Sequence, residues 1–256
     1  MNKLKLNPKI SIKIAIFYIL VMGIGMYIMK SVFGYNYSDP KMVFVIGWVE
    51  ILLSLIAIFA VVKFSSWKQV GFGKMRTKHL LWMVPGALSM LILLLQIFAK
   101  INTNGVNTPQ LTLLIATGLT TLLVGFSEEL MFRGILLRGL LVNKGIYTSM
   151  FVSAVFFALL HSVNVFGGLE FQVMTNQLIF AFMYGLLMAP IALKLRSLIP
   201  LIIYHFLWDF SLLSAPIVFA SVPLMMFFLP IVEILFIIIL WVLMRKETPE
   251  SIKISK

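Results

Sequence analysis

The chain has 256 residues, of which 61% are hydrophobic and only 12% charged, with a mean hydropathy of +1.04 and a formal net charge of +12. That composition excludes a soluble globular protein and describes an integral membrane protein. The absence of cysteine excludes disulfides, thiolate nucleophiles and Cys-ligated metals.

Apolar runs recur at about 20 residues, the length a helix needs to cross roughly 30 Å of hydrocarbon. Eight are predicted, over Ile10–Met29, Met42–Val62, Leu80–Ala99, Leu111–Leu137, Tyr147–His161, Gln177–Leu193, Leu198–Leu213 and Val222–Met244. They are continuously apolar, whereas barrel strands would alternate apolar and polar residues. The expected fold class is therefore all-α, a polytopic bundle of about eight transmembrane helices. The first run is long for a signal-peptide core, and Met29-Lys30-Ser31 has no small-residue cleavage pattern, so it is read as a span. The fourth is too long for one crossing and is expected to tilt, or to continue as far as Leu141 with Arg138 near the interface.

The longest polar stretch is the connector from Lys63 to His79, too short for a soluble domain, so residues 1–256 are read as one membrane domain. Trp67 and Phe72 make that connector a membrane-hugging one, and His79 within it is expected to be solvated. No repeat of fixed period is visible. The tail 245–256 is short and polar and is expected to be disordered.

Positive charge orients the spans. With eight crossings, 21 basic residues divide so that all but Lys30, Lys41 and Lys100 fall on one side: Lys3 to Lys13, Lys63 to Lys78, Arg133 to Lys144, Lys194 and Arg196, and Arg245 to Lys256. Both termini are accordingly expected in the cytoplasm, with the protein in the cytoplasmic membrane. The same charges are accounted for by topology and by anionic lipid heads, so no nucleic-acid partner is inferred.

Five acids fall within the spans, Glu50, Glu128, Glu129, Asp209 and Glu233, together with His161 and His205. Ionisable groups at membrane depth are costly, face a bundle interior or a wet cavity, and mark function. Glu128, Glu129, Arg133, His161, His205 and Asp209 cluster on the fourth, fifth and seventh spans, which suggests one site. At 100° per residue, Glu129 and Arg133 share a face and can pair. Glu128 is turned about 100° away, toward Val124, Met131 and Phe132, which leaves it without a charge partner on its own helix and makes it the candidate base. His205 and Asp209 are also four apart and share a face, where the imidazole could donate to a developing oxyanion. Phe157, one turn before His161, can pack on its ring. The helical rise sets Glu128 about 18 Å, His205 about 10 Å and Asp209 about 16 Å from the basic face, where they can meet, whereas His161 at about 21 Å lies deeper.

Three motifs stand in order: Glu128-Glu129-Leu-Met-Phe-Arg133, Phe157-Ala-Leu-Leu-His161 and His205-Phe-Leu-Trp-Asp209. Together they resemble the CPBP family of intramembrane proteases, also called the Abi or type II CAAX prenyl endopeptidase family, over about Leu111 to Leu213. The resemblance implies an eight-span bundle and peptide hydrolysis without a covalent intermediate. It implies that Glu128 and His161 activate water, that His205 and the residue at position 209 stabilise the oxyanion, and that Glu129 and Arg133 are architectural or position the substrate. The eukaryotic CAAX proteases have Asn where this chain has Asp209, so the oxyanion role of Asp209 is less secure than that of His205. Small bacterial relatives are linked with peptide maturation and bacteriocin self-immunity.

Other chemistries fit these residues less well. Glu128, His161 and His205 could hold Zn²⁺ with an open water position, but the His-Glu-x-x-His helix signature is absent, so zinc is disfavoured and no cofactor is expected. Ser127 abuts the glutamates without the further context of a rhomboid-type serine protease. A transporter would relay protons through such residues, yet paired Gly- or Pro-broken helices are absent. A non-catalytic immunity or scaffold protein on the same fold is the principal alternative, and a buried structural ion pair is the bland reading of Glu128, Glu129 and Arg133. Glu50 and Glu233 match no motif and are left outside the site. The expected partners are a peptide or membrane-protein substrate and the lipid bilayer, while the oligomeric state stays open.

Overall fold

In the computed structural model, which describes residues 6–248 and Ile252, eight helices are long and apolar enough to cross a membrane. They run Pro8–Ser31, Pro40–Phe64, Thr77–Asn104, Thr108–Leu140, Ile146–Gly167, Phe171–Leu195, Ile199–Val218 and Met226–Lys246. Among the described residues the only strand-like pairing is an isolated bridge between Phe72 and Ser197. The all-helical, eight-span expectation therefore holds, with most spans longer than their apolar runs. Lys3, Lys5, Lys253 and Lys256, which were assigned to the basic face, lie outside the described residues, as does most of the tail after Thr248.

Local signals set the helix starts. Asn7 caps the first span through its side chain with Pro8 following, and Asn107 and Gln110 form a reciprocal capping box at the fourth, with Pro109 in its first turn. The sixth span begins at Phe171, ahead of the apolar run expected from Gln177, because its first turns include the polar residues Gln172, Thr175 and Asn176, which interrupt the apolar pattern without breaking the helix.

The fourth span continues to Leu140, as the extended reading expects, but with a change of helix type on the way. Its α-helix ends at Glu129, continues as a π-helix over Leu130–Leu136 and closes with a last α-turn at Leu137–Leu140. Every residue from Ser127 to Leu141 is buried, so the surplus is enclosed by protein. Arg138, expected near an interface, is covered and donates from Nη2 to the carbonyl of Ala192 at 3.5 Å. The connector after the second span makes this enclosure. Rather than only skirting the membrane, it folds over the bundle end, burying Val70 and accepting the Leu198 amide on the Gly71 carbonyl at 2.8 Å. Of the tail's described residues, Glu247 pairs with Lys194 at 3.0 Å and Ile252 is buried among Leu137, Met150 and Leu193.

One core cluster joins Tyr18, Leu53, Phe132, Phe157, Leu201 and Leu240 from six spans. The outward surface is a band of exposed apolar side chains such as Leu20, Trp48, Leu95 and Phe227, which suits lipid rather than water. The sixth and seventh spans, joined by Arg196-Ser197-Leu198, diverge: the sixth packs on the fifth and eighth, the seventh on the third and fourth. This divergence leaves room for a cavity.

Small residues permit the tightest crossings. A methyl group on Gly125 would lie 2.9 Å from both the Ile202 carbonyl oxygen and the Phe206 amide nitrogen, backbone atoms that cannot rotate away. Gly125→Val should force the fourth and seventh spans apart and destabilise the bundle by about 1–3 kcal/mol, seen as a lower unfolding temperature in detergent. An unchanged melting curve would mean that this crossing is looser than the geometry indicates.

Candidate active site

The site forms where the fourth span changes from α to π geometry. Glu129 Oε1 lies 3.1 Å from Arg133 Nη1, and both side chains are completely buried, as their spacing predicts. The two are close enough for an ion pair but not aligned as a hydrogen bond, and no Arg133 nitrogen finds a hydrogen-bond acceptor. The guanidinium instead lies against aromatic faces, 3.9 Å from the Phe157 ring centroid and 5.1 Å from that of Tyr184. Cation–π attraction strengthens when desolvated, so this stacking partly replaces the missing hydrogen bonds.

Glu129 does more than brace its own helix. The same Oε1 accepts from His205 Nδ1 at 3.1 Å and from the Tyr184 hydroxyl at 3.3 Å. It thus joins the fourth, sixth and seventh spans and orients the His205 ring. The other ring nitrogen, Nε2, lies 3.3 Å from Asp209 Oδ2 and 3.9 Å from Glu128 Oε2. The division between the glutamates persists, since only Glu129 meets Arg133, but His205 touches both.

Glu128, His161 and Asp209 line one cavity of about 280 Å³. Glu128 Oε2 is buried without a hydrogen-bond partner. His161 Nδ1 lies 3.0 Å from the carbonyl of Phe157, and because a carbonyl only accepts, Nδ1 carries the hydrogen and leaves Nε2 as the acceptor in the neutral ring. The Phe157 ring packs on His161 at 5.1 Å and on His205 at 5.9 Å between centroids. The apparent excess depth of His161 disappears because the cavity extends from the glutamates toward the end of the fifth span, where His161 occupies the last α-helical turn.

Several residues of this site escaped the sequence reading. Glu50, on the second span, lines the same cavity and is fully buried. Its Oε2 accepts from Ser127 at 2.7 Å, and the Ser127 oxygen lies 2.7 Å from the buried Tyr18 hydroxyl. Ser127 is fully buried in a hydrogen-bond chain and is not among the residues lining the cavity, which gives the serine-nucleophile alternative no support. The cost of an acid in a span was a usable signal for Glu50. None marked the outer wall, where Asn164 Nδ2 donates to Gln177 Oε1 at 2.8 Å and Gln177 Nε2 donates to the Tyr37 hydroxyl at 2.9 Å. Burial pushes the Tyr37 phenol up to about 12, so it stays a neutral hydrogen-bonding group in this wall. Glu233 lies elsewhere, in a small crevice with Trp82 and Tyr204. Among the described residues no three His, Asp or Glu side chains are grouped to hold a metal ion, and the Glu128, His161 and His205 set is not such a group.

Residues 110–211 match the family model described as type II CAAX prenyl endopeptidase Rce1-like. The segment matched is the one over which the three motifs resemble that peptidase family, and its limits lie within two residues of Leu111 and Leu213. No curated protein and no solved structure matches the chain significantly. The chain is a multi-pass membrane protein whose fourth to seventh spans are similar to this family's model.

Removing Arg133 strands a carboxylate in a dry interior. Arg133→Met should cost about 3–5 kcal/mol of stability, whereas Glu129→Gln with Arg133→Met should recover part of the loss, because the two sites are energetically coupled. Thermal unfolding of the single and double variants in detergent measures this. Strictly additive losses would show that the pair is not coupled.

Proposed function

We propose that this protein is a glutamate-type intramembrane endopeptidase of the cytoplasmic membrane, with both termini in the cytoplasm, acting on a peptide or membrane-protein substrate. The observation that carries the reading is the single cavity shared by Glu128, His161 and Asp209, with His205 Nε2 within reach of both carboxyls. The family match over residues 110–211 supports peptidase chemistry. At about 280 Å³ the cavity lies just below the usual range of ligand sites, roughly 300–1,000 Å³, and suits an extended chain rather than a folded domain.

In this mechanism a water is held between Glu128 and Nε2 of His161. Glu128 takes one proton from it as the oxygen forms a bond to the scissile carbonyl carbon. The carbonyl π electrons move onto its oxygen, and the resulting oxyanion accepts a hydrogen bond from His205 Nε2–H. That ring is preset by Glu129 on Nδ1 and by Asp209 beside Nε2, so stabilisation needs little reorganisation. When the tetrahedral species collapses, the C–N bond breaks and the proton held by Glu128 passes to the leaving amine. The products are a carboxylic acid and an amine, with one water consumed and the enzyme restored. Arg133, stacked on Phe157, keeps Glu129 charged and in place.

The deciding measurement is cleavage of candidate peptides by purified protein in liposomes. Glu128→Gln should reduce the rate by about 10²–10⁴-fold, the range expected for loss of a general base, and His161→Ala should fall comparably. Unchanged cleavage in either would remove the assigned mechanism. Asp209→Asn should retain more activity than Asp209→Ala, because an amide can still bond His205. Chelation should leave the rate unaltered, while a loss restored by Zn²⁺ would transfer the assignment to a metalloprotease. A cellular phenotype that survives Glu128→Gln at normal protein level would favour the scaffold alternative.

A further inference from the structure

The two ends of the bundle differ in charge and in access to the site. Packing gathers the basic segments at one end: the Leu6 amide bonds the Phe64 carbonyl at 2.8 Å, the Arg76 amide bonds the Leu195 carbonyl at 2.9 Å, and Lys194 meets Glu247 at 3.0 Å. Arg133, assigned to this face from sequence, is buried in the site and does not contribute to it. The exposed lysines at the far end are Lys30, Lys41 and Lys100.

Between the glutamates and the basic end the protein is closed. Leu130, Met131, Phe132, Arg133, Leu136 and Leu137 are all completely buried, and the Val70–Gly71 turn folds over them. From the glutamates the cavity runs the other way. Its wall continues through His161 to Asn164, Gln177 and Tyr37, beside the loop where the Tyr37 amide bonds the Gly167 carbonyl at 2.8 Å. Along that direction the side chains regain exposure, with Asp209 at 28% against 6% for Glu128. Glu50 and Glu128, each with a buried oxygen lacking a hydrogen-bond partner, line its floor.

Basic segments stay in the cytoplasm. We infer that the cavity opens on the non-cytoplasmic side of the membrane, so that the polypeptide it accepts presents its scissile bond there, as an exported peptide or the outer flank of a membrane protein. This deepens the peptidase reading, and it rests on that reading only for the identity of the occupant. The direction of opening rests on the seal, the wall and the charge asymmetry.

The chain has no cysteine, so single-cysteine variants report without background. Lys74→Cys and Lys144→Cys mark the basic end, Asn104→Cys marks the far end, and Gln177→Cys and Tyr37→Cys mark the cavity wall. Each is expressed in bacterial cells and treated with a membrane-impermeant maleimide, before and after permeabilisation, and compared at equal protein level. Asn104→Cys and at least one wall variant should label fully in intact cells, whereas Lys74→Cys and Lys144→Cys should label only after permeabilisation. Wall variants that label only after permeabilisation, or not at all while Asn104→Cys labels, would overturn the proposal. Inverted labelling of the end markers would also overturn it. Labelling needs no catalysis, so its outcome is separate from the fate of Glu128→Gln in the cleavage assay.

Discussion

The site depends on one buried carboxylate, Glu129. Its Oε1 receives Arg133, His205 Nδ1 and the Tyr184 hydroxyl, at 3.1, 3.1 and 3.3 Å. A charge at this depth is stable only when its partners are held as firmly as itself. The structure achieves this by layering: Phe157 and Tyr184 lie on the guanidinium, and the π-helical segment after Glu129 buries every residue it carries. Position then passes outward from this pair. With Nδ1 engaged, the His205 ring can present only Nε2 to Asp209 and Glu128. The arrangement of side chains at the cavity is therefore a consequence of the buried pair, and the two glutamates are linked through one imidazole.

The family-matched segment does not build this site alone. Glu50 from the second span and Tyr18 from the first reach Ser127, immediately before the motif glutamates, through two 2.7 Å contacts. The first spans thereby complete the cavity floor and set the register of the fourth against the second, where the Thr120 hydroxyl also donates to the Val43 carbonyl at 3.1 Å. Polar contacts of this kind guide helix association where no hydrophobic driving force exists between helices in lipid. They also explain how an N-terminal region without a recognisable motif can shape what the cavity accepts.

Fold and site were legible to different degrees, for physical reasons. Span number was readable because hydrocarbon thickness imposes a length on any apolar run. Span ends were not, because Asn164, polar for the cavity's sake, and Gln172, Thr175 and Asn176 in the first turns of the sixth span resemble loop residues to any hydropathy reading. The Glu129–Arg133 pair followed from helical spacing, and the grouping of His161, His205 and Asp209 from the cost of ions in lipid. What helical geometry within one span could not supply were contacts between spans: His205 to Glu129, Arg133 on Phe157, Ser127 to Glu50. Arg133 misled in the same way. Sequence counts a cation as a topological marker, and only packing shows when it has been drawn inside.

That distinction bears on how charge is used in the molecule. Basic residues at the surface of one end can set orientation, while Arg133 in the interior neutralises Glu129. The interior Arg and its aromatic cover also close the bundle between the glutamates and the basic end, so the features that stabilise the site are the ones that deny access to it from that side. Opposite them, the divergence of the sixth and seventh spans leaves the cavity walled by Gln177, Leu212 and Leu213 rather than by tight helix packing. The hydrolytic role proposed for this site requires it to admit water and polypeptide while keeping its charges fixed. Here rigidity is concentrated on one side of the glutamates and space on the other, and His205, touching both sides, connects them.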